Sequence, residues 1–461
     1  MALEMSLLNC PLVDNPEARI REALAQLSGS DRAVICLRFS HQQYYLQESS
    51  ALELLALVSL SRQEGVRRVV LGPAADAQNV DCSAVLSEQD LAAAADRLQW
   101  PLLDLQKSLR LQPIAIAKPW GQEIWYTGIE ARGQSQITDG RYALPLPWLL
   151  ALLPERLTAG RPRDISLLKI LDPLAEEVFG DLYFELHAEK QEVYVVTHVD
   201  ADAWPSGIGG IRIGFDSRKR AQYATDSAFV EAFGQAIKAY EVIRREIDGL
   251  LDKCRLADGI DLNEPVSASQ TKQWLATVPE DLVRSEQILR LRMDEFKATL
   301  PLSVGSVLKV PCYTPHSLLH GVRTIEFQTP VYERQILSFA QKVLTQSHWD
   351  TDQALACMSL GEHQLQALKV VEQNAGVLIE EVVAFSDFEV WRITLQPEAE
   401  YRLPLQSYAL VIGVTGMVSA QGQLLRGEEA CLMAASSAKC LANNVATETV
   451  VLVSFPKSID S

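Results

Sequence analysis

Residues 181–196 read DLYFELHAEKQEVYVV. An apolar, strand-like run carries Glu185 and His187 two positions apart, a four-residue turn (188–191) follows, and a second alternating run begins at Glu192. Side chains two apart on a strand project from one face, so Glu185 and His187 point together. Glu192, at the start of the returning strand, can face the same interior. Three ionisable groups at the turn of a strand bound for a core raise the possibility of a site. A fourth group comes from GSVLKVPCYTPHSLLHG (305–321): a Gly305 turn, a strand, Pro311, then His316. A single acid–histidine pair would read as strand-end polarity. Two carboxylates and two imidazoles converging in a barrel favour a divalent first-row cation with open positions. His198 has the parity of Glu192, but six residues of strand at ~3.3 Å each put it about 20 Å away. His320, four after His316, reads as a turn or supporting residue.

The rest of the chain frames that hairpin. At 461 residues it exceeds one core, and roughly two to four domains are expected. A formal charge of −17 argues against a general nucleic-acid binder, though not against a small anionic substrate met by local Lys and Arg. The eight cysteines are scattered without a CxxC pair, which predicts reduced thiols in a cytoplasm. The N-terminus shows no basic region followed by an apolar stretch, and ALELLALVSL (51–60) is far short of the ~20 residues that span a bilayer. A cytoplasmic protein with no membrane or nucleic-acid partner is expected.

Along the chain, residues 1–108 alternate strand-like runs (RAVICLRF, VRRVVLG) with helical ones (SALELLALVSLSRQ, SEQDLAAAADRLQ), the last capped near Ser87. From 109 short strands recur, among them EIWYTGI, SLLKIL, LYFELHA and EVYVVTHV. Helix-period sequence interrupts them: AFVEAFGQAIKAYEVIRREIDGLL (228–251), then a second helix over 281–298. Strands return at GSVLKVPCY and RTIEFQT, helical sequence covers 333–372, and 377–456 is strand-rich again. The pattern predicts a mainly β chain: two β-barrels, a helical insertion in the first, and an N-terminal small α/β unit. No histidine follows His363, so the second barrel has no imidazole for a similar site. Trp120 and Tyr126 read as core aromatics.

These pieces resemble a known family. Gly305, Pro311 and His316 are spaced like the second cupin motif, and Glu185-x-His187-x4-Glu192 resembles the first. KPWGQEIWYTG (118–128), LLKILD (167–172), KQEVYVV (190–196) and VPCYTPHSLLHGVRTIEFQ (310–328) are similar to type I mannose-6-phosphate isomerases, in that family's order. The resemblance implies two cupin-like β-barrels, with a metal-binding barrel from 109–225 and 300–345, and a helical insertion over 226–299. A helical connector over 346–376 and a second barrel without metal over 377–461 would follow, behind the unit of 1–108. It further implies a sugar-phosphate aldose–ketose isomerase interconverting mannose 6-phosphate and fructose 6-phosphate. Its zinc, with manganese or iron as alternatives, would be held by Glu185, His187, Glu192 and His316. Lys190, Glu326 and Arg334 take catalytic positions, Glu326 as general base, and Lys169, Lys190 and Arg334 would bind substrate.

Three departures from the family pattern are visible. Glu185 replaces a glutamine, which makes the shell formally neutral around a 2+ ion. Only four residues separate His187 from Glu192, where the family has a long loop. Tyr313 stands where a turn glycine is usual, and a bulky residue at φ > 0 is unfavourable. They leave open a second reading: a non-catalytic cupin that binds a sugar or metabolite, with its N-terminal unit used for regulation or protein interaction.

Overall fold

The computed structural model describes residues 11–28, 32–77, 84–85, 87–365 and 367–457. The chain is mainly β, built from antiparallel sheets with a helical insertion, and divides into two compact units. Residues 1–114, 125–168 and 368–461 form one, and 115–124 with 169–367 form the other.

In the first unit a five-stranded sheet runs in chain order through Leu12–Val13, Arg32–Gln42, Ala51–Ser61, Gly65–Pro73 and Leu102–Asp104. The helix Glu88–Leu98 begins as expected, with Ser87 as N-cap of a capping box closed by Asp90. Residues 51–61, expected to be helical, are instead a strand paired along its whole length with Arg32–Gln42. Leu54 to Val58 are fully buried there. A strand covered on both faces has no alternation to reveal it, and burial between two neighbours outweighs the helix propensity of Leu and Ala. A nine-stranded and a four-stranded sheet complete this unit around Ile379, Ile393, Val411, Leu441 and Val453. Leu109–Gln112, Gln136–Thr138 and Ala143–Pro145, placed by the sequence reading in the metal-binding barrel, pair into the nine-stranded sheet. Lys369–Gln373 is its edge strand, and among the described residues of the supposed helical connector of 346–376 only Thr351–Cys357 is helical. The run KVVEQ has the β-branched residues of a strand.

The second unit carries the hairpin. Its strands are β1 (Ile114–Lys118), β2 (Gly121–Trp125), β3 (Leu167–Pro173), β4 (Phe184–Leu186), β5 (Glu192–Val199) and β6 (Gly209–Phe215), of which the end residues Ile114, Trp125, Leu167 and Leu168 belong to the other unit. β7 (Lys297–Leu302), β8 (Val307–Val310), β9 (His316–Leu318), β10 (Val322–Gln328) and β11 (Gln335–Ser338) follow the insertion. One sheet has the order β8-β5-β10-β3-β2-β1 and the other β7-β6-β9-β4-β11. Both sheets contribute to one core, Tyr194, Val196, Leu308 and Val310 from the first and Ile211, Ile213, Leu318 and Ile336 from the second. The hydrogen-bonded order of each sheet runs edge to edge, so the expected barrels are open, paired sheets and not continuous closed ladders. The insertion is α1 (Asp226–Ala257), α2 (Ala268–Leu275) and α3 (Glu280–Asp294). α1 is capped by Thr225 and buries Phe229, Phe233, Ile237 and Tyr240, one stripe at helical spacing. α3 ends at Asp294, short of the expected 298, because Phe296 and Lys297 are buried at the entry to β7. Trp120 is buried in this unit and Tyr126 in the other, as core aromatics.

A buried ion cluster ties the second sheet together. Asp181 accepts from Arg212 Nη1 at 2.8 Å, His320 Nδ1 at 2.8 Å and the His320 backbone N–H at 3.1 Å. Arg212 also meets Asp294 at 3.4 Å, and Asp294 meets Lys297 at 2.7 Å. His320 is thus a supporting residue, and the exposed His198 lies beside Arg323, away from the hairpin turn. Burial alone would raise the Asp181 carboxyl, but the His320 hydrogen bond and Arg212 hold it far below its ordinary range. Its contribution to stability is therefore complete above the unfolded value near pH ~4, and is lost as pH falls through the lower folded value. Asp181→Asn is expected to cost about 3 kcal/mol at pH 7 by urea denaturation, and to flatten the loss of stability as pH falls below about 4.

Candidate metal centre

β-register assembles the site. Glu192 opens β5 opposite Gln328 of β10, and two residues on Tyr194 lies opposite Glu326. Glu192, Tyr194 and Glu326 therefore share one face of the first sheet. On the second sheet, Glu185 of β4 pairs with His316 of β9, and His187 follows the end of β4. His187, Glu192 and His316 meet with their ligand atoms within 4.8 Å of one another, all three buried. Nε2 of His187 stands 3.3 Å from Glu192 Oε1, and Nε2 of His316 stands 3.2 Å from Oε2.

The outer nitrogens decide what the inner ones can do. His187 Nδ1 lies 3.0 Å from the carbonyl oxygen of Glu333, and His316 Nδ1 lies 3.0 Å from that of Thr314. A carbonyl only accepts, so each Nδ1 carries the proton and each Nε2 presents its lone pair to the centre. This is the arrangement by which a second shell orients metal-ligating imidazoles. Burial and the nearby Lys190 lower the His187 pKa, which keeps the ring neutral. His187 Nε2 is buried with no hydrogen-bond partner, a lone pair that a cation would satisfy. Burial would raise the Glu192 carboxyl, yet the Lys190 ammonium holds it well below its ordinary value, as an anion. Two neutral imidazoles and a carboxylate are a fitting donor set for zinc.

Glu185 stands at the margin. One of its oxygens is 4.0 Å from His187 Nε2, and the other is 3.7 Å from Arg334 Nη1. Arg334 also donates to Thr345 Oγ1 at 2.6 Å and lies 4.5 Å over the Tyr183 ring. Lys190 Nζ is 2.9 Å from Glu192 Oε1, inside the cluster. Glu326 is 1% exposed, with Lys169 Nζ at 3.3 Å from it. Burial and the charge of Glu192 raise the Glu326 carboxyl well above its ordinary value, against Lys169 and Lys190. Lys169 would be lowered by burial, but Glu123, Glu326 and Glu192 hold it charged.

Sequence reasoning missed three participants. Tyr194 donates to Glu192 Oε2 at 2.7 Å and lies 3.1 Å from His316 Nε2. Its parity with Glu192 was the available signal. Glu123 faces Lys118 at 3.0 Å and Lys169 at 3.9 Å. Glu333 accepts from the backbone N–H of Ala188 at 3.0 Å and of Glu189 at 3.3 Å, so it holds the short turn as well as the His187 ring. No sequence pattern announces a residue 146 positions from the ring it supports. Across the adjacent strands β5, β10, β3, β2 and β1 the side chains Glu192, Glu326, Lys169, Glu123 and Lys118 form one ribbon of buried charge.

Gly305 makes its turn at φ +87° and Tyr313 adopts φ +63°, the strained turn expected from its sequence position. The Tyr313 N–H donates to the His187 carbonyl at 2.6 Å, so the conformation is tied to the centre. Tyr313 is 41% exposed and loses little packing on truncation. Tyr313→Gly is expected to stabilise the protein by about 0.5–1 kcal/mol, read as a higher denaturation midpoint, because relief of the left-handed penalty exceeds the added chain entropy.

No family model and no curated protein matches the chain. Solved structures do. Mannose 6-phosphate isomerase from Bacillus subtilis superposes with a TM-score of 0.51 at 14% identity, covering 76% of this chain and 99% of that one. A mutant of phosphomannose isomerase from Salmonella typhimurium gives 0.50 at 14% identity, covering 76% and 100%. A zinc-bound mannose 6-phosphate isomerase gives 0.50 at 13% identity over the same shares. The chain has the fold of these proteins.

Proposed function

We propose that the protein is a metal-dependent aldose–ketose isomerase of a sugar phosphate, with mannose 6-phosphate and fructose 6-phosphate as the pair. The observation that carries the proposal is the buried His187–Glu192–His316 group, with both Nε2 lone pairs turned inward beside Glu326 and Lys169. The fold shared with mannose 6-phosphate isomerases supports it. Zinc suits the donor set best, and manganese or iron follow if Glu185 turns from Arg334 to add a second carboxylate. When bound, a divalent cation compensates the charge of Glu192 and polarises an oxygen of the sugar. Glu326, relieved of that charge, would take the proton from C2 and return it at C1, while the O2 hydroxyl proton passes to O1 through the enediol. Lys169, charged and beside Glu326, stabilises negative charge developing on the substrate oxygens. Lys190 and Arg334 hold the phosphate once released from Glu192 and Glu185.

One observation favours a second reading. Lys190 Nζ already sits against Glu192, so an ammonium can occupy the place of a cation in a metal-free cupin that only binds a sugar or metabolite. Metal analysis separates the two. Protein purified without chelator is expected to hold one zinc per chain, and His187→Ala with His316→Ala to lose it, the affinity falling by more than ~100-fold. Equal metal in both preparations would count against the centre. Conversion of mannose 6-phosphate to fructose 6-phosphate is expected from the metal-replete protein, with Glu326→Gln lowering kcat by roughly 10²–10⁴-fold. Metal-replete protein that binds the sugar phosphate without converting it would establish the binding reading.

A further inference from the structure

Gln328 is the last residue of β10, opposite Glu192 and two beyond Glu326, so the three share one face of the first sheet. It is 1% exposed. Its amide nitrogen donates to the carbonyl oxygens of Thr329 and Val331, each at 3.3 Å. Carbonyls only accept, so these two bonds fix which end of the amide is nitrogen. Oε1 is thereby turned from that loop, and it is buried with no hydrogen-bond partner.

A buried amide oxygen left without a donor is costly, and most such groups in proteins are met. The opposite carboxylate offers nothing. Glu192 is an anion whose own oxygens face His187, Lys190, His316 and Tyr194. Whatever satisfies Oε1 must bring a proton, and a hydroxyl does so without adding charge to the centre. Position along the chain says which hydroxyl. In the proposed isomerase Glu326 acts at C2, and Arg334, on the loop that follows Gln328, takes the phosphate. Gln328 lies between the two, one strand step from the base.

We infer that Gln328 is a specificity-determining residue, its Oε1 accepting a hydrogen bond from one hydroxyl of an open-chain sugar phosphate between C2 and the phosphate. The inference rests on the sugar-phosphate reading of the site and adds a contact that selects among such molecules. The probe is D-mannitol 6-phosphate, a reduced form of mannose 6-phosphate that cannot isomerise, beside its 3-deoxy, 4-deoxy and 5-deoxy analogues. Each is titrated by calorimetry into the full chain as purified. The parent is expected to bind one analogue at least about tenfold more weakly than mannitol phosphate, since a buried acceptor is then left unmet. Gln328→Met, close in size and without the amide, is expected to weaken mannitol phosphate by a similar factor at unchanged metal content. It should bind that one analogue within about threefold of the parent. A residue that only braced the 329–331 loop would weaken every compound alike. Should Gln328→Met fail to fold, Gln328→Asn, which withdraws the amide by one methylene, is held to the same pattern. No saturable binding of mannitol phosphate at millimolar concentration, three analogues that all bind as it does, a variant that binds as the parent does, or a variant that weakens every compound alike would each overturn the inference. The expected pattern in a protein that does not convert mannose 6-phosphate would remove the isomerase reading alone.

Discussion

A single buried carboxylate, that of Glu192, organises the second unit. It is 2% exposed, and both oxygens are engaged: one faces His187 and Lys190, the other His316 and Tyr194. Removing an anion from water costs several kcal/mol, so such a group survives only where neighbours repay the loss. Those neighbours come from the short hairpin turn, from the second sheet and from the same strand. The apposition of the two sheets at this point is thus an electrostatic requirement as well as a packing one.

From Glu192 the consequences spread along the sheet. Glu326, one strand over, is pushed towards its neutral form by burial and by the Glu192 charge, while Lys169 beyond it is held charged, Glu123 and Glu192 being the anions that act on it. The ribbon continues to Glu123 and Lys118, whose ion pair at 3.0 Å balances the far end. A neutral carboxyl and a fixed ammonium beside an anionic donor set are a combination suited to proton transfer, because a change of charge at Glu192 is felt directly at Glu326. The helical insertion has a different logic, in which arginines are balanced by acids of the same helix and a cavity is left between apolar faces.

Much of this is legible from local pattern, for stated reasons. Strands with clear alternation, such as Glu192–Val199 and Val322–Gln328, and the capped helix Glu88–Leu98 follow from periodicity and end chemistry. The strand Ala51–Ser61 is not, since its apolar run carries neither period and only its two sheet neighbours select the extended form. The end of α3 and the strand Lys369–Gln373 escape a local reading because burial of Phe296 and pairing with Val377–Ala384 override local tendency.

At the centre the division is sharper. Local sequence limits which groups can meet: His187 and Glu192 across a four-residue turn, and His316 beyond a glycine and a proline, with a tyrosine at a turn position where glycine is usual. Those are short-range facts, governed by strand parity and turn stereochemistry. Only the tertiary structure decided that Glu185 faces Arg334 as much as the imidazoles, that Glu333 fixes the tautomer of His187, and that Tyr194 shares Glu192 with His316. Each of those outcomes depends on register between strands distant in the chain. Register is set by how two whole faces bury their side chains, a property that no local stretch contains.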